Sequence, residues 1–271
     1  MKTLPRLLSF VAAVLLAGSI AVHADDHAAS RSAAAPQKLT FVLVHGATAG
    51  GYEWKKTGRH LEEAGHTVYR VTLTALGERS HLSAENVNLT THINDVVNTI
   101  LFEDLHDVVL TGHSYGGMVI TGVMDRIPER IRHVFYFDAV VPDDGKSMFD
   151  MFGNAEQPDR VVKNGRWIPP WLNENPTTYP HNVGHPIGTL TEPVSYKDPA
   201  ALALNVTYVP FVQDPATADE NSGMLPGWKR AKARGWTIRP YRGSHVAMLE
   251  TPAGLAELIL AAVDDRNTTV D

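Results

Sequence analysis

One short stretch restricts the architecture of this chain more than any other. Asp107-Val108-Val109-Leu110-Thr111 is an apolar run of strand length, and it leads directly into Gly112-His113-Ser114-Tyr115-Gly116-Gly117. From Gly116 to Asp125 the residues continue at helical spacing. A short run that is apolar on both faces belongs in the interior of a sheet. The chain must then reverse within a few residues to begin a helix, with Ser114 at the tip of the turn. Glycines at 112 and 116 suit that reversal, because a Cβ at either place would collide with the adjoining strand or helix. A serine so held projects its hydroxyl beside the unpaired N–H groups and positive end of the helix. Gly-x-Ser-x-Gly occurs often by chance, so the strand before it and the helix after it carry the inference.

The rest of the chain supplies the sheet that this turn requires. Short β-rich apolar runs alternate with longer helical stretches, the pattern of a parallel sheet covered by helices. Strands are expected at Leu39–Val44, His66–Thr72, Asp107–Gly112, Ile131–Asp138, Val206–Val212 and Thr237–Tyr241. Helices are expected at Trp54–Ala64, Thr90–Phe102, Gly116–Asp125, about Pro226–Arg234, and Pro252–Asp264. In the second of these, Ile93, Val96, Val97, Ile100 and Leu101 recur at helical spacing. Between Pro142 and Asn205 prolines are frequent and periodicity fades, so this segment reads as a cap inserted after the strand ending near Asp138.

The 271 residues suit one such domain with an insertion. Residues 1–24 have the three-part layout of a secretory signal peptide: Lys2 and Arg6, an apolar run from Leu7 to Val22, and small residues ending at Ala24. Residues 25–37 read as a flexible linker, and 38–271 as the folded domain with its cap at about 142–205. The mature protein is therefore expected outside the cytoplasm, secreted or periplasmic, and free of the membrane once cleaved. A net charge of −6 without a basic stripe argues against a nucleic-acid partner. The absence of cysteine excludes a thiol nucleophile and any cysteine-based metal site. No metal or cofactor is expected, and the expected state is a monomer or a homodimer.

Candidate partners for Ser114 follow from position. A tetrahedral oxyanion needs two aimed donors. The N–H of Tyr115 is one candidate. The other is the N–H of Ala47, in the His45-Gly46-Ala47 loop after the first strand. Among the thirteen histidines, His245 follows the last strand and precedes the last helix, where the base stands in this topology. His113 is expected to be a structural histidine that points away from Ser114 toward the sheet, and His45 to be structural too. Two acids compete to orient the imidazole. Asp138 ends the strand after the serine helix in apolar surroundings, and Asp214 follows the next strand in a more polar loop. A carboxylate buried at the end of an apolar run demands a partner, which favours Asp138.

Three segments carry a family resemblance: Phe41-Val42-Leu43-Val44-His45-Gly46-Ala47, Thr74-Ala75-Leu76-Gly77-Glu78-Arg79-Ser80-His81-Leu82, and Gly112-His113-Ser114-Tyr115-Gly116-Gly117-Met118-Val119. They resemble the bacterial α/β-hydrolases related to plant methylesterases and hydroxynitrile lyases. Ser244-His245-Val246-Ala247-Met248-Leu249 is similar to the histidine loop of the plant methylesterases. The resemblance covers nearly all of the chain after residue 24. It implies an α/β-hydrolase fold and a cofactor-free carboxylesterase activity. It permits the acid after either strand. The lyases carry Thr after the first-strand His and Lys after the catalytic His, where this chain has Gly46 and Val246. Without that lysine nothing stabilises a leaving cyanide. Haloalkane dehalogenases use an Asp where this chain has Ser114, which argues against that chemistry.

The expected activity is hydrolysis of a small to medium apolar or aromatic ester or lactone through an acyl-enzyme. Met148, Trp167 and Trp171, with Phe149 and Tyr179, are candidates to line the substrate pocket, though the same residues could form the cap's own core. The alternatives are a lyase and a receptor-like protein that retains its ligand. An apparently complete triad argues against the latter.

Overall fold

The computed structural model of the protein describes residues 37–153, 160–223 and 227–264. The expected signal peptide, and the expected linker up to residue 36, lie outside the described residues.

A parallel six-stranded sheet organises the chain. Its strands are β1 (Thr40–Val44), β2 (Thr67–Val71), β3 (Val108–His113), β4 (Ile131–Phe137), β8 (Val206–Val209) and β10 (Thr237–Ile238), in the order β2-β1-β3-β4-β8-β10. The four principal helices are α1 (Lys55–Glu63), α2 (Leu89–Phe102), α3 (Gly116–Arg126) and α9 (Pro252–Asp264). Among the described residues between β4 and β8 the elements are all short: α4 (Met148–Phe152), β5 (Val162–Lys163), β6 (Arg166–Trp167), β7 (His185–Pro186), α5 (Gly188–Thr191) and α6 (Pro199–Leu202). The strands β5, β6 and β7 form a small antiparallel sheet of their own. The C-terminal part adds β9 (Phe211–Val212), α7 (Trp228–Ala233), β11 (Tyr241–Arg242) and α8 (Ala247–Glu250).

The period-two geometry of a strand divides the core between the two faces of the sheet. Phe41 and Leu43 of β1, Val109 of β3, and Phe135 and Phe137 of β4 face a layer built with Leu61, Leu255 and Ile259 of α1 and α9. Val42 and Val44, Leu110, and Val134 and Tyr136 face the opposite layer, built with Ile93, Val96 and Val119 of α2 and α3. Both faces are covered, which explains why these strands read as unbroken apolar runs. The helix α2 begins with a reciprocal cap: Asn88 Oδ1 accepts from Thr91 N–H, and the Thr91 hydroxyl accepts from Asn88 N–H.

Two expected strands are each divided. Val206–Val212 breaks at Pro210 into β8 and β9, and Thr237–Tyr241 breaks at Pro240 into β10 and β11. Proline has no N–H to give a ladder. The parallel pairing nonetheless resumes, with Tyr241 N–H donating to the Pro210 carbonyl at 3.0 Å. Asp138 N–H still reaches the Val209 carbonyl at 2.8 Å, but β9 pairs with β11 alone. The expected helix from about Pro226 starts at Trp228; Pro226 itself lies outside the described residues.

The order of strands reverses at β1. The chain goes out from β1 to β2, then crosses back to β3 on the other side. In open α/β sheets the carboxyl ends at such a reversal frame a crevice. Here those ends carry His45-Gly46-Ala47 and His113-Ser114.

Candidate active site

Ser114 sits in the turn between β3 and α3 with φ 52°, the left-handed region that a serine enters at a cost. The turn is held on both sides. Ser114 N–H donates to the Phe137 carbonyl at 3.3 Å, and the Ser114 carbonyl accepts from Val140 N–H at 3.0 Å. The flanking glycines are required by space. A Cβ on Gly116 would lie 2.9 Å from the His45 carbonyl oxygen, and one on Gly112 would lie 2.8 Å from the Gly116 carbonyl oxygen.

His245 lies between β11 and α8. Its Nδ1 is 2.6 Å from Asp138 Oδ2. Asp138 follows the last residue of β4, fully buried and with φ 39°. Its other oxygen, Oδ1, is also buried and has no protein partner among the described residues. The bond to His245 is therefore what offsets the cost of burying this carboxylate. Asp214 is placed elsewhere: it is half-buried and paired with Arg242 Nη2 at 2.8 Å. Of the two acids that the sequence offers, the structure brings Asp138 to the imidazole.

The loop after β1 faces this pair. Ala47 and Gly46 line the same cavity as Ser114 and His245. Among the described residues neither Ala47 N–H nor Tyr115 N–H donates to a protein acceptor. The side chain of Tyr115 turns away into the core. Its hydroxyl is 2.9 Å from His92 Nδ1, and its ring meets that of His185 edge-on at 4.5 Å. His92 Nε2 donates to the Thr74 carbonyl, so the Tyr115 hydroxyl is the donor to Nδ1. His185 Nδ1 accepts from Thr48 N–H at 3.0 Å, one residue beyond Ala47. His45 sits at the start of the same loop, with its Nε2 accepting from Leu73 N–H. Burial pushes all three imidazoles below their usual range, His92 to about 3, so they hold these bonds as neutral rings.

His113 departs from the sequence expectation. It does not point away toward the sheet. It lines the cavity, and its ring lies against that of His245 with centroids 4.5 Å apart. Its Nδ1 is 3.1 Å from Glu53 Oε2 and its Nε2 is 2.7 Å from the His245 carbonyl oxygen. Glu53 is a residue that reading the sequence missed. It lies in the single 3₁₀ turn between Gly51 and Trp54, just before α1, and is buried. The signal was an acid held between Tyr52 and Trp54 at the start of a helix, unremarkable until the fold brings His113 to it.

The cavity has a volume of about 600 Å³. Met148, Trp167 and Trp171 line it, as expected, with Phe149, Phe152 and Leu190 completing an apolar wall. Arg160, Asn182 and Val246 add to the rim. Tyr179 is not part of it; that ring is 90% exposed and lines a separate surface cleft with Pro180 and His181.

Known proteins support this picture at the level of the fold and family. Residues 41–258 match the model of the alpha/beta hydrolase family. A carbendazim hydrolyzing esterase from Nocardioides sp. (strain SG-4G) is 53% identical over 119 residues, which are 44% of this chain and 49% of that protein. Methylesterase 1 of Arabidopsis thaliana is 33% identical over 123 residues, 44% of this chain and 47% of that protein. The matches thus span about half the length of these curated relatives. Among solved structures, an extracellular alpha/beta-hydrolase from a Paenibacillus species is 25% identical with a TM-score of 0.64, covering 83% of this chain and 98% of that one. It is described as sharing structural and functional homology with Tobacco Salicylic Acid Binding Protein 2. Polyneuridine aldehyde esterase has a TM-score of 0.65 at 20% identity, covering 84% of this chain and all of that one, a likeness of fold. With a parallel sheet, a serine in the turn after β3, and a family match from the first strand to within the last helix, this chain belongs to the alpha/beta hydrolase family.

Proposed function

We propose that the protein is a serine carboxylic-ester hydrolase that works through an acyl-enzyme. The observation that carries the reading is the 2.6 Å contact between buried Asp138 and His245 Nδ1, on a cavity that Ser114 also lines. Asp138 accepts from Nδ1–H and so leaves Nε2 as the basic nitrogen of the neutral ring. His245 takes the Ser114 proton as the hydroxyl oxygen attacks the substrate carbonyl. The resulting oxyanion is met by the N–H groups of Ala47 and Tyr115. His245 then protonates the leaving alcohol, and afterwards activates the water that releases the acid. Asp138 stabilises the imidazolium in each half-reaction.

The apolar wall of Met148, Trp167, Trp171 and Phe149 favours a small to medium apolar or aromatic acyl or alcohol group, as an open ester or a lactone. The names of the relatives extend the substrate panel to methyl esters and to carbendazim. Val246 in place of a cation beside His245 argues against cyanide release. We further infer, from residues 1–24, that the mature chain acts in the periplasm or outside the cell.

The test is pre-steady-state kinetics on a short-chain aryl ester with the purified mature protein. A burst of aryl alcohol equal to the enzyme concentration, followed by slower turnover, is expected. A single stoichiometric release followed by lasting retention of ligand would point instead to a receptor, and cyanide release from mandelonitrile to a lyase.

A further inference from the structure

Two buried titratable groups, Glu53 and His113, border the same cavity as Ser114 and His245 and have no part in the acyl-transfer steps above. Glu53 Oε2 accepts from Gly46 N–H at 2.8 Å and is 3.1 Å from His113 Nδ1. His113 Nε2 is 2.7 Å from the His245 carbonyl oxygen. A carbonyl oxygen only accepts, so Nε2 must carry a proton. An ionised carboxylate also only accepts, so Nδ1 must carry one as well. With the carboxyl ionised, the ring faces an acceptor on each side and satisfies both only as an imidazolium.

We propose that Glu53 and His113 form a buried carboxylate–imidazolium pair that positions the oxyanion loop and the His245 loop relative to Ser114. This rests on the reading of Ser114 as nucleophile and His245 as base. Glu53 grips the amide of Gly46, one residue before Ala47. His113, adjoining Ser114 in sequence, grips the backbone of the base itself. One ion pair thereby ties together the three chain segments that the chemistry requires in register.

The surroundings support the charged form. Burial alone pushes Glu53 up, but the charge and hydrogen bond of His113, with the Gly46 N–H, outweigh it and hold the carboxyl below its usual range. Burial alone pushes His113 down, but the charge and bond of Glu53, the Asp138 charge and the His245 carbonyl outweigh it and hold the ring above its usual range. The titratable groups facing His113 are thus Glu53 from the turn before α1, Asp138 from the end of β4, His45 from the end of β1, and His245 from its loop. Two are carboxylates, His45 is held neutral, and His245 has Asp138 as its own partner. A buried pair of this kind is weak evidence for stability, since desolvation cancels much of the attraction, and better suited to fixing geometry.

The experiment compares wild type with Glu53→Gln between pH 6 and 8.5 on an aryl acetate. The amide oxygen can still accept from Gly46 and from Nδ1–H, but the charge is gone. Without that charge, burial favours the neutral ring, which cannot serve both acceptors. At pH 8, kcat is expected to fall about tenfold, the scale of one charge-assisted hydrogen bond, with KM within about twofold. Any recovery of the variant's rate should lie toward the acid end of this range, where His113 regains its second proton. A deficit that grows toward pH 6, or a variant with wild-type kcat at pH 8, would overturn the proposal. Nitrogen NMR of histidine-labelled wild type at pH 7.5 tests it without any substitution: protons on both nitrogens of His113 support the pair, and a neutral ring refutes it. Wild-type turnover in Ser114→Ala would instead overturn the nucleophile assignment and leave the protonation state of His113 untouched.

Discussion

Asp138 reaches His245 from the end of β4, at 2.6 Å, while Asp214 in the loop after β9 is turned outward to Arg242. The two carboxylates differ in what their neighbours leave them. Asp138 has one imidazole and a closed apolar environment; Asp214 has solvent and a surface guanidinium. Asp138→Asn removes the acceptor that sets the His245 tautomer, so kcat should fall by roughly 10³- to 10⁴-fold, as loss of the acid does in other triads. Asp214→Asn should leave kcat within about twofold and stability within ~0.5 kcal/mol, because exposed ion pairs contribute little. Parallel steady-state assays of the two variants check this, and loss of activity in Asp214→Asn alone would contradict it.

Acid should unfold this protein early, through its neutral imidazoles. His45, His92 and His185 are held below their ordinary pKa near 6.5 by burial, His92 to about 3. A depressed histidine contributes its full stability above the unfolded value, and the contribution is lost as pH falls from about 6.5 toward the folded value. His113, raised by Glu53, has the opposite sign: its contribution is complete below the unfolded value and is lost as pH rises through its folded one. The contribution of His113 is already complete over this interval, so the three depressed groups decide it: Tm should fall steadily from pH 6.5 to pH 4, with the steepness reduced in His92→Gln. A Tm that is flat or rising over that interval would contradict the neutral cluster.

The helix start at the serine turn leaves no room for a methyl group. Gly116→Ala would place a Cβ 2.9 Å from the His45 carbonyl oxygen and 3.0 Å from that of Val44, both backbone atoms that cannot swing away. Overpacking of this kind costs about 1–3 kcal/mol. Chemical denaturation should register that loss, and activity should fall with it because the displaced segment carries Gly46 and Ala47.

Trp171 offers a cleaner probe of the cavity than the more buried Trp167. It is 62% exposed yet lines the cavity, so its removal should cost little stability. Trp171→Ala is expected to raise KM for aryl esters about three- to tenfold with kcat nearly unchanged, the signature of lost uniform binding. A fall in kcat at constant KM would mean that the ring acts on the reacting centre instead.

The legible parts of this protein are those where one residue pattern decides the outcome. The closing helix, Pro252–Asp264, was readable to the residue, and β1, α2, β3, α3 and β4 to within one. Their apolar runs are buried on both faces of a sheet or along a helix stripe, and glycines mark the turn at Ser114. Pro210 and Pro240 were visible as strand breakers, but reading through them required knowing that β9 and β11 pair again beyond the breaks. Asp138 could be favoured over Asp214 from the cost of burial alone. Glu53 could not be found, because nothing in Gly51-Tyr52-Glu53-Trp54 announces a partner sixty residues away. The direction of His113 is illegible for the same reason: its two acceptors come from segments that meet only in the folded chain. The role of the cap aromatics was equally undecided by sequence, and the cavity divides them, taking Trp167 and Trp171 and leaving Tyr179 outside.

The central claim is that Ser114 is the nucleophile, activated by His245 and Asp138. Peptide mapping of the protein after reaction with a fluorophosphonate tests it most directly. One adduct per chain, on the peptide containing Gly112-His113-Ser114-Tyr115-Gly116 and absent from both Ser114→Ala and His245→Ala, is the result expected. Stoichiometric labelling at another residue, or labelling and turnover that persist in Ser114→Ala, would contradict the account.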